Sequence, residues 1–167
     1  ATGLAASTTY TFQVKARDAA GNLSAGSNTV SVTTPAGSGS GNLALGRPTT
    51  ASSAENAGTA APKATDGSGT TRWSSMFSDP QWIQVDLGAV HAVHQVVVQW
   101  ETAYAKAYQI QLSTDGVTWT TVYSTTTGAG GTETLDVTGS GQFVRVYGTQ
   151  RATQYGYSIW ELQVLGS

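Results

Sequence analysis

The sequence predicts an all-β protein: an antiparallel β-sandwich or jelly roll, preceded by a separate β-hairpin. Three observations carry that prediction. Short apolar runs recur between turn residues, at 82–87, 90–100, 108–112, 119–123, 142–147 and 159–165, as in sandwiches and jelly rolls. No stretch sustains the i, i+3, i+4 spacing of an amphipathic helix. The texture also changes once, at a Gly/Ser-rich segment, beyond which all five tryptophans lie.

Residues 1–34 alternate in polarity. Tyr10, Phe12, Val14 and Ala16 fall on one face, and Thr9, Thr11, Gln13 and Lys15 on the other, the period of a half-buried strand. A turn follows at 18–22 and a second alternating run passes through Val30 and Val32, which completes a hairpin. Two or three strands do not bury both faces alone, so this piece reads as a spacer remnant whose open edges invite pairing, including with another copy of itself. Residues 35–41 hold nothing that packs and read as a flexible linker. Residues 42–167 then form one unit long enough for its own core. Ile83, Val85 and Leu87 share one face, as do Tyr108, Ile110 and Leu112, so those faces are expected inward. Ser113-Thr114-Asp115-Gly116 is a tight turn. Trp119 just after it, with Trp73, Trp82 and Trp100, is expected in the core.

Composition narrows the chemistry. Charged residues make up 11% of the chain and the net charge is -2, so no Lys/Arg stripe is present to replace counterions on nucleic acid, and no polybasic segment to hold a membrane. Without cysteine there is no disulfide, thiol nucleophile or thiolate metal site. No nucleophile motif, paired-carboxylate motif or phosphate loop stands out, and His91 and His94, three apart in a strand, face opposite sides. An enzyme is not expected. No apolar run approaches the roughly 20 residues of a membrane span.

One loop does suggest chemistry. Lys63 to Trp73 carries the Asp66 carboxylate, glycines 67 and 69, hydroxyls at Ser68, Thr70 and Thr71, and then Arg72. Tightly folded, oxygen-rich backbone suits calcium, which takes about 6–8 oxygen ligands, many of them carbonyls. The same residues also make a solvated turn leading into a strand.

Longer patterns carry resemblances. The spacing of Leu4, Thr8, Tyr10, Phe12, Val14, Ala16, Asp18, Gly21-Asn22 and Ser24 resembles the last third to half of a fibronectin type III domain, with Tyr10 at that family's tyrosine corner. Beyond the linker, Asn42-Leu43-Ala44, Ala51-Ser52-Ser53, Ala64-Thr65-Asp66-Gly67, Thr71-Arg72-Trp73 and Gln81 to Gly88 occur in sequence. Ser113 to Gly116 with Trp119, Phe143-Val144-Arg145-Val146 and Glu161-Leu162-Gln163-Val164 continue the series. This resembles the discoidin fold over residues 42–166, and within it the family-32 carbohydrate-binding modules of bacterial secreted glycanases. Trp100 to Tyr104 and Tyr155 to Glu161 look most like modules from chitosanases and β-glucanases.

The resemblance implies a structural calcium in the loop, held by the carbonyls of Lys63 and Ser68, the Asp66 carboxylate, the hydroxyl and carbonyl of Thr71, and Glu161 from the last strand. Many relatives place Asp or Asn at position 68, and Ser there weakens the site. It implies sugar binding at loops on one end of the sandwich. There Arg72 offers a planar fork, Glu55 and Glu101 accept hydrogen bonds, Phe77, Tyr104, Tyr155 and Tyr157 supply rings for the C–H face of a pyranose, and Trp160 supports the loop. Carboxylates around a small site favour an ammonium group, which points to glucosamine units as in chitosan, with β-glucan open. The implied setting is a secreted protein in which a catalytic domain is tethered upstream or downstream. Membrane-lipid binding, as in clotting-factor relatives, with Ser75-Met76-Phe77-Ser78 as an apolar spike, and protein-binding adhesion are the alternatives.

Overall fold

The computed structural model describes residues 9–33 and 41–167. The chain divides into two compact units, 1–38 and 39–167. The predicted linker, apart from Gly41, lies outside the described residues, as do Leu4 and Thr8.

In the first unit, β1 (Thr9–Phe12) and β2 (Val30–Thr33) pair antiparallel, with Tyr10 opposite Val32 and Phe12 opposite Val30. The turn lies at the predicted place. The Asp18 carboxylate accepts from both the backbone and side-chain amides of Asn22, at 2.8 and 2.9 Å, and Gly21 takes φ 93°, a left-handed conformation that only glycine adopts freely. Phe12, Val14, Val30 and Val32 stay exposed, as expected of so small a unit.

The second unit is an antiparallel β-sandwich. Its strands are β3 (Thr49–Ala51), β4 (Trp73–Ser74), β5 (Gln81–Trp100), β6 (Ala105–Ser113), β7 (Thr120–Thr125), β8 (Thr132–Arg151) and β9 (Ser158–Gly166). They are ordered β4-β9-β5-β8-β6-β7, with β3 also on β5. The two 20-residue strands serve both layers. The first half of β5 pairs with β3 and with the second half of β8; its second half pairs with β9 and the first half of β8. The predicted runs 82–87 and 90–100 are thus one strand, interrupted in its pairing between Asp86 and His91, where Gly88 takes φ 85°. A second irregularity between Val93 and Gln95 shifts the inward parity, so that Leu87 and Val93 but then Val96, Val98 and Trp100 face the core. One extra residue flips every side chain beyond it.

The core follows the predicted faces. Ile83, Val85, Leu87, Tyr108, Ile110 and Leu112 are all buried, joined by Val144, Val146, Ile159, Leu162 and Val164. Two of the tryptophans expected there, Trp73 and Trp100, are buried, their indoles donating to the Ser53 carbonyl and the Glu133 carboxylate. The other two are not. Trp82 is only half-buried, because it alternates with Ile83 and so points outward. Trp119 is half-buried too: it follows the 113–116 turn, closed by Gly116 at φ 74° and amides of Val117 and Thr118 on the Asp115 carboxylate, and sits beside Arg145 on the outer face.

Candidate functional site: a cleft at one end of the sandwich

Four connecting segments meet at one end and enclose a cleft of about 260 Å³. Glu55 and Arg72 come from the two ends of the β3–β4 connection, Arg72 at the close of the oxygen-rich loop, Phe77 from the loop after β4, Glu101 with Thr102 and Ala103 from the β5–β6 turn, and Tyr155 and Gly156 from the β8–β9 loop. Ser74 and Ser158 form the floor. Five of the seven sugar-contact residues expected from the sequence, Glu55, Arg72, Phe77, Glu101 and Tyr155, therefore line one space.

The other two do not line it. Tyr157 is buried, its hydroxyl donating to the Asp79 carboxylate and its ring against Gly148; burial and that bond push its phenol well above the usual value. Tyr104 packs partly buried against the core, its ring over Gly130. The sequence placed both in loops but gave no sign of which rings turn inward. Trp160 lies beneath the site, with the Arg72 guanidinium 5.5 Å from its ring centroid.

The polar groups are held in place. Arg72 Nε donates to Ser158 Oγ at 2.9 Å, and Ser158 Oγ lies 2.8 Å from Ser74 Oγ. Arg72 is thus fixed by neutral partners and a ring, and among the described residues no carboxylate lies within 4 Å of its guanidinium. Glu101 accepts from Thr102 Oγ1 at 2.7 Å and the Ala103 amide at 2.9 Å. Partial burial works to raise its pKa, but those bonds, with the Thr102 amide and the Arg72 charge, prevail and hold it below the usual carboxylate range. Glu55 is exposed, and among the described residues its carboxylate meets no hydrogen-bond donor.

An apolar rim adjoins the acids. Phe77 and Tyr155 meet edge to face, with centroids 5.8 Å apart, and Glu55, Met76, Phe77 and Ser78 border a second hollow of about 470 Å³. Besides the Tyr157 hydroxyl on Asp79, a second side chain ties the two rim loops together. Arg151 lies 3.3 Å from Asp79 of the Phe77 loop and donates to the carbonyls of Gln154 and Tyr155 in the other. Arg151 and Asp79 carry no sequence pattern of their own, and only the fold shows their role.

The second expected site lies behind the cleft. Asp66 accepts from the Ser68 amide at 3.0 Å and from Thr71 Oγ1 at 2.8–2.9 Å, with Lys63 Nζ 3.8 Å away. Glu161 is 4% exposed; its Oε2 accepts from the Gly67 amide at 3.3 Å, and its Oε1 is buried without a partner. Burial pushes the Glu161 carboxyl up to about 7, the Gly67 amide opposes this and the Asp66 charge adds to it. Among the described residues no group of three or more His, Cys, Asp or Glu side chains could hold a metal. A calcium set here therefore rests on two carboxylates plus backbone carbonyls and a hydroxyl. An orphaned carboxylate oxygen next to a second carboxylate fits a divalent cation.

Known proteins place this architecture. A profile of the F5/8 type C domain matches residues 48–162. The chain belongs to the F5/8 type C domain family. Among solved structures, chitosan-binding module 1 from a chitosanase/glucanase of Paenibacillus sp. IK-5 is 52% identical, at TM-score 0.72 over 74% of this chain and 98% of the module. Module 2 of that enzyme, solved with chitotriose, is 49% identical, with the same TM-score and coverage. Polysaccharide lyase 8 family protein HylA of Enterococcus faecalis is 42% identical over 72 residues, 43% of this chain but 5% of that protein. The F5/8 type C domain here is thus similar to dedicated binding modules, which are non-catalytic, and the match spans a small part of a larger carbohydrate-active protein.

Proposed function

We propose that residues 42–167 are a non-catalytic carbohydrate-binding module that holds glucosamine-containing polysaccharide in the cleft and tethers a secreted glycoside hydrolase to it. The observation that carries this reading is the pairing of two carboxylates, Glu55 and Glu101, with an exposed aromatic edge, Phe77 and Tyr155, around one open cleft. A sugar ring lays its C–H face on the aromatics. Its ammonium group meets Glu101, already ionised and oriented, in a charge-assisted hydrogen bond roughly twice as strong as a neutral one. Arg72 offers its remaining N–H groups to ring hydroxyls. The chitosan-binding modules that resemble this chain support the same ligand class; β-glucan is the second candidate, since carboxylates also accept from hydroxyls.

Calcium is part of the proposal. Asp66, Glu161, the Thr71 hydroxyl and the carbonyls of Lys63, Ser68 and Thr71 would hold it, and when bound it supplies positive charge that neutralises the two carboxylates. Its role is stability: Glu161 on β9 and the 63–73 loop become one clamp behind Arg72.

Retention on insoluble chitosan tests the site. Glu55→Ala and Arg72→Ala are each expected to abolish retention while leaving the fold intact; unchanged retention in both sinks the reading. The exposed Met76 and Phe77 favour lipid insertion as a second reading, and co-sedimentation with anionic liposomes but not with chitosan would establish it instead.

A further inference from the structure

The outer face of the other layer carries a feature that the cleft does not explain. On neighbouring strands, Trp82 of β5 stands opposite Tyr147 of β8, and Gln84 opposite Arg145; on the other side of β8, Gln109 and Gln111 of β6 stand opposite the same two residues. Register partners share a face, so these side chains form one plate. Trp119 completes it, with the Arg145 guanidinium carbon 3.8 Å from its ring centroid and 5.3 Å from that of Tyr147. Arg145 Nε donates to Gln111 at 2.7 Å. Among the described residues its two Nη groups meet no acceptor, and no carboxylate lies within 4 Å of it.

That arrangement is a prepared fork without an anion. Asp86, on the same face, stands two register pairs further along, opposite Phe143, and its Oδ1 accepts from the Gly88 and Gln142 amides. Burial holds the Arg145 guanidinium below its usual value, while the nearby Tyr147 works the other way. A half-buried, unpaired cation is costly, and a planar guanidinium fixed by stacking loses little freedom when it takes a carboxylate in its fork. Flanking rings and amides are what a sugar ring needs on either side of such a contact.

We propose that this plate is a second glycan-binding surface, separate from the cleft, whose ligand is a uronate-bearing polysaccharide: one sugar carboxylate on Arg145 and neighbouring pyranose faces on Trp82, Tyr147 and Trp119. The charge logic is opposite to that of the cleft. The cleft offers carboxylates to an ammonium sugar, and the plate offers a cation to an acidic one. A wall that contains both kinds of sugar is held at two places, and two linked weak contacts exceed either alone by avidity.

Tryptophan indole N–H signals of the full ¹⁵N-labelled chain test this directly, because the two surfaces own different tryptophans. A galacturonic acid trimer is expected to shift the Trp82 and Trp119 signals and leave Trp160, beside Arg72, in place. A glucosamine trimer is expected to move Trp160 and leave Trp82 and Trp119. Arg145→Gln should weaken the galacturonate response at least tenfold while the glucosamine response is unchanged. The proposal is overturned if galacturonate leaves Trp82 and Trp119 unmoved, if laminaritriose moves them equally well, or if Arg145→Gln responds as the unmodified chain does. Loss of the glucosamine response alone would count against the cleft and leave the plate standing.

Discussion

Removing the proposed calcium should make the module unstable in a pH-dependent way, and Glu161 sets the size of the effect. Without metal, its carboxyl is raised from 4.5 to about 7 by burial, with Oε1 unpartnered. A group raised on folding keeps its proton in the native state after the unfolded chain has lost it, so stability falls as pH rises from the unfolded to the folded value. That rise corresponds to about 3 kcal/mol. For a unit of this size about 3 kcal/mol is on the order of 10 °C in Tm. Chelator-treated protein should therefore lose on the order of 10 °C between pH 4.5 and pH 8 beyond any drift of the calcium-loaded protein, and added calcium should restore it at pH 8. Glu161→Gln, which cannot ionise, should flatten the dependence and abolish the response to calcium. Thermal unfolding by circular dichroism reads all three. Equal Tm at pH 8 with chelator and with calcium would refute the metal, and a Tm in chelator that does not fall between pH 4.5 and pH 8 would refute the electrostatic argument behind it.

Other consequences concern the cleft and its supports. Arg151→Ala removes one of the ties between the Phe77 loop and the Tyr155 loop, while the Tyr157 hydroxyl on Asp79 remains, and is expected to lower affinity for a glucosamine trimer severalfold by calorimetry with little change in Tm, since the ion pair is partly exposed. Because Glu101 is held below the usual carboxylate range, binding should persist as pH is lowered past the ordinary value near 4.5 and fail only below it; loss of binding well above that pH contradicts the assignment. Gly148→Ala would place a Cβ 2.6 Å from the Tyr157 ring, and should cost about 1–3 kcal/mol in denaturant unfolding.

Much of the fold was legible because strand alternation is a local signal. Ile83, Val85 and Leu87, and Tyr108, Ile110 and Leu112, face inward as their spacing demands. The continuity of β5 through Gly88 was not legible, since a glycine after Leu87 reads as a turn and only the pairing with β8 shows that the chain resumes the ladder. The first half of β8 went unseen because Leu135 and Val137 stand alone among threonines and glycines. At the site, charge was a better guide than aromaticity. Glu55, Arg72 and Glu101 converge as expected, since charged side chains must end near solvent. The rings divide by burial, Tyr155 outward and Tyr157 inward two residues later, a choice made by Gly148 on the preceding strand and by Asp79 far away in the chain. Trp119 departs from expectation for the same reason: the partner that holds it outside, Arg145, comes from another strand.

Recognition of an amino sugar by the cleft is proposed to run through its carboxylates. Its most direct test is calorimetric titration of the full chain with a glucosamine trimer and with its fully N-acetylated counterpart, at mildly acidic pH where the amines are protonated. The first trimer is expected to bind saturably, with Kd of roughly millimolar to micromolar, the second at least tenfold more weakly, and the preference is expected to be lost in Glu101→Gln. Equal affinity for the two trimers, or a preference that survives Glu101→Gln, would contradict it.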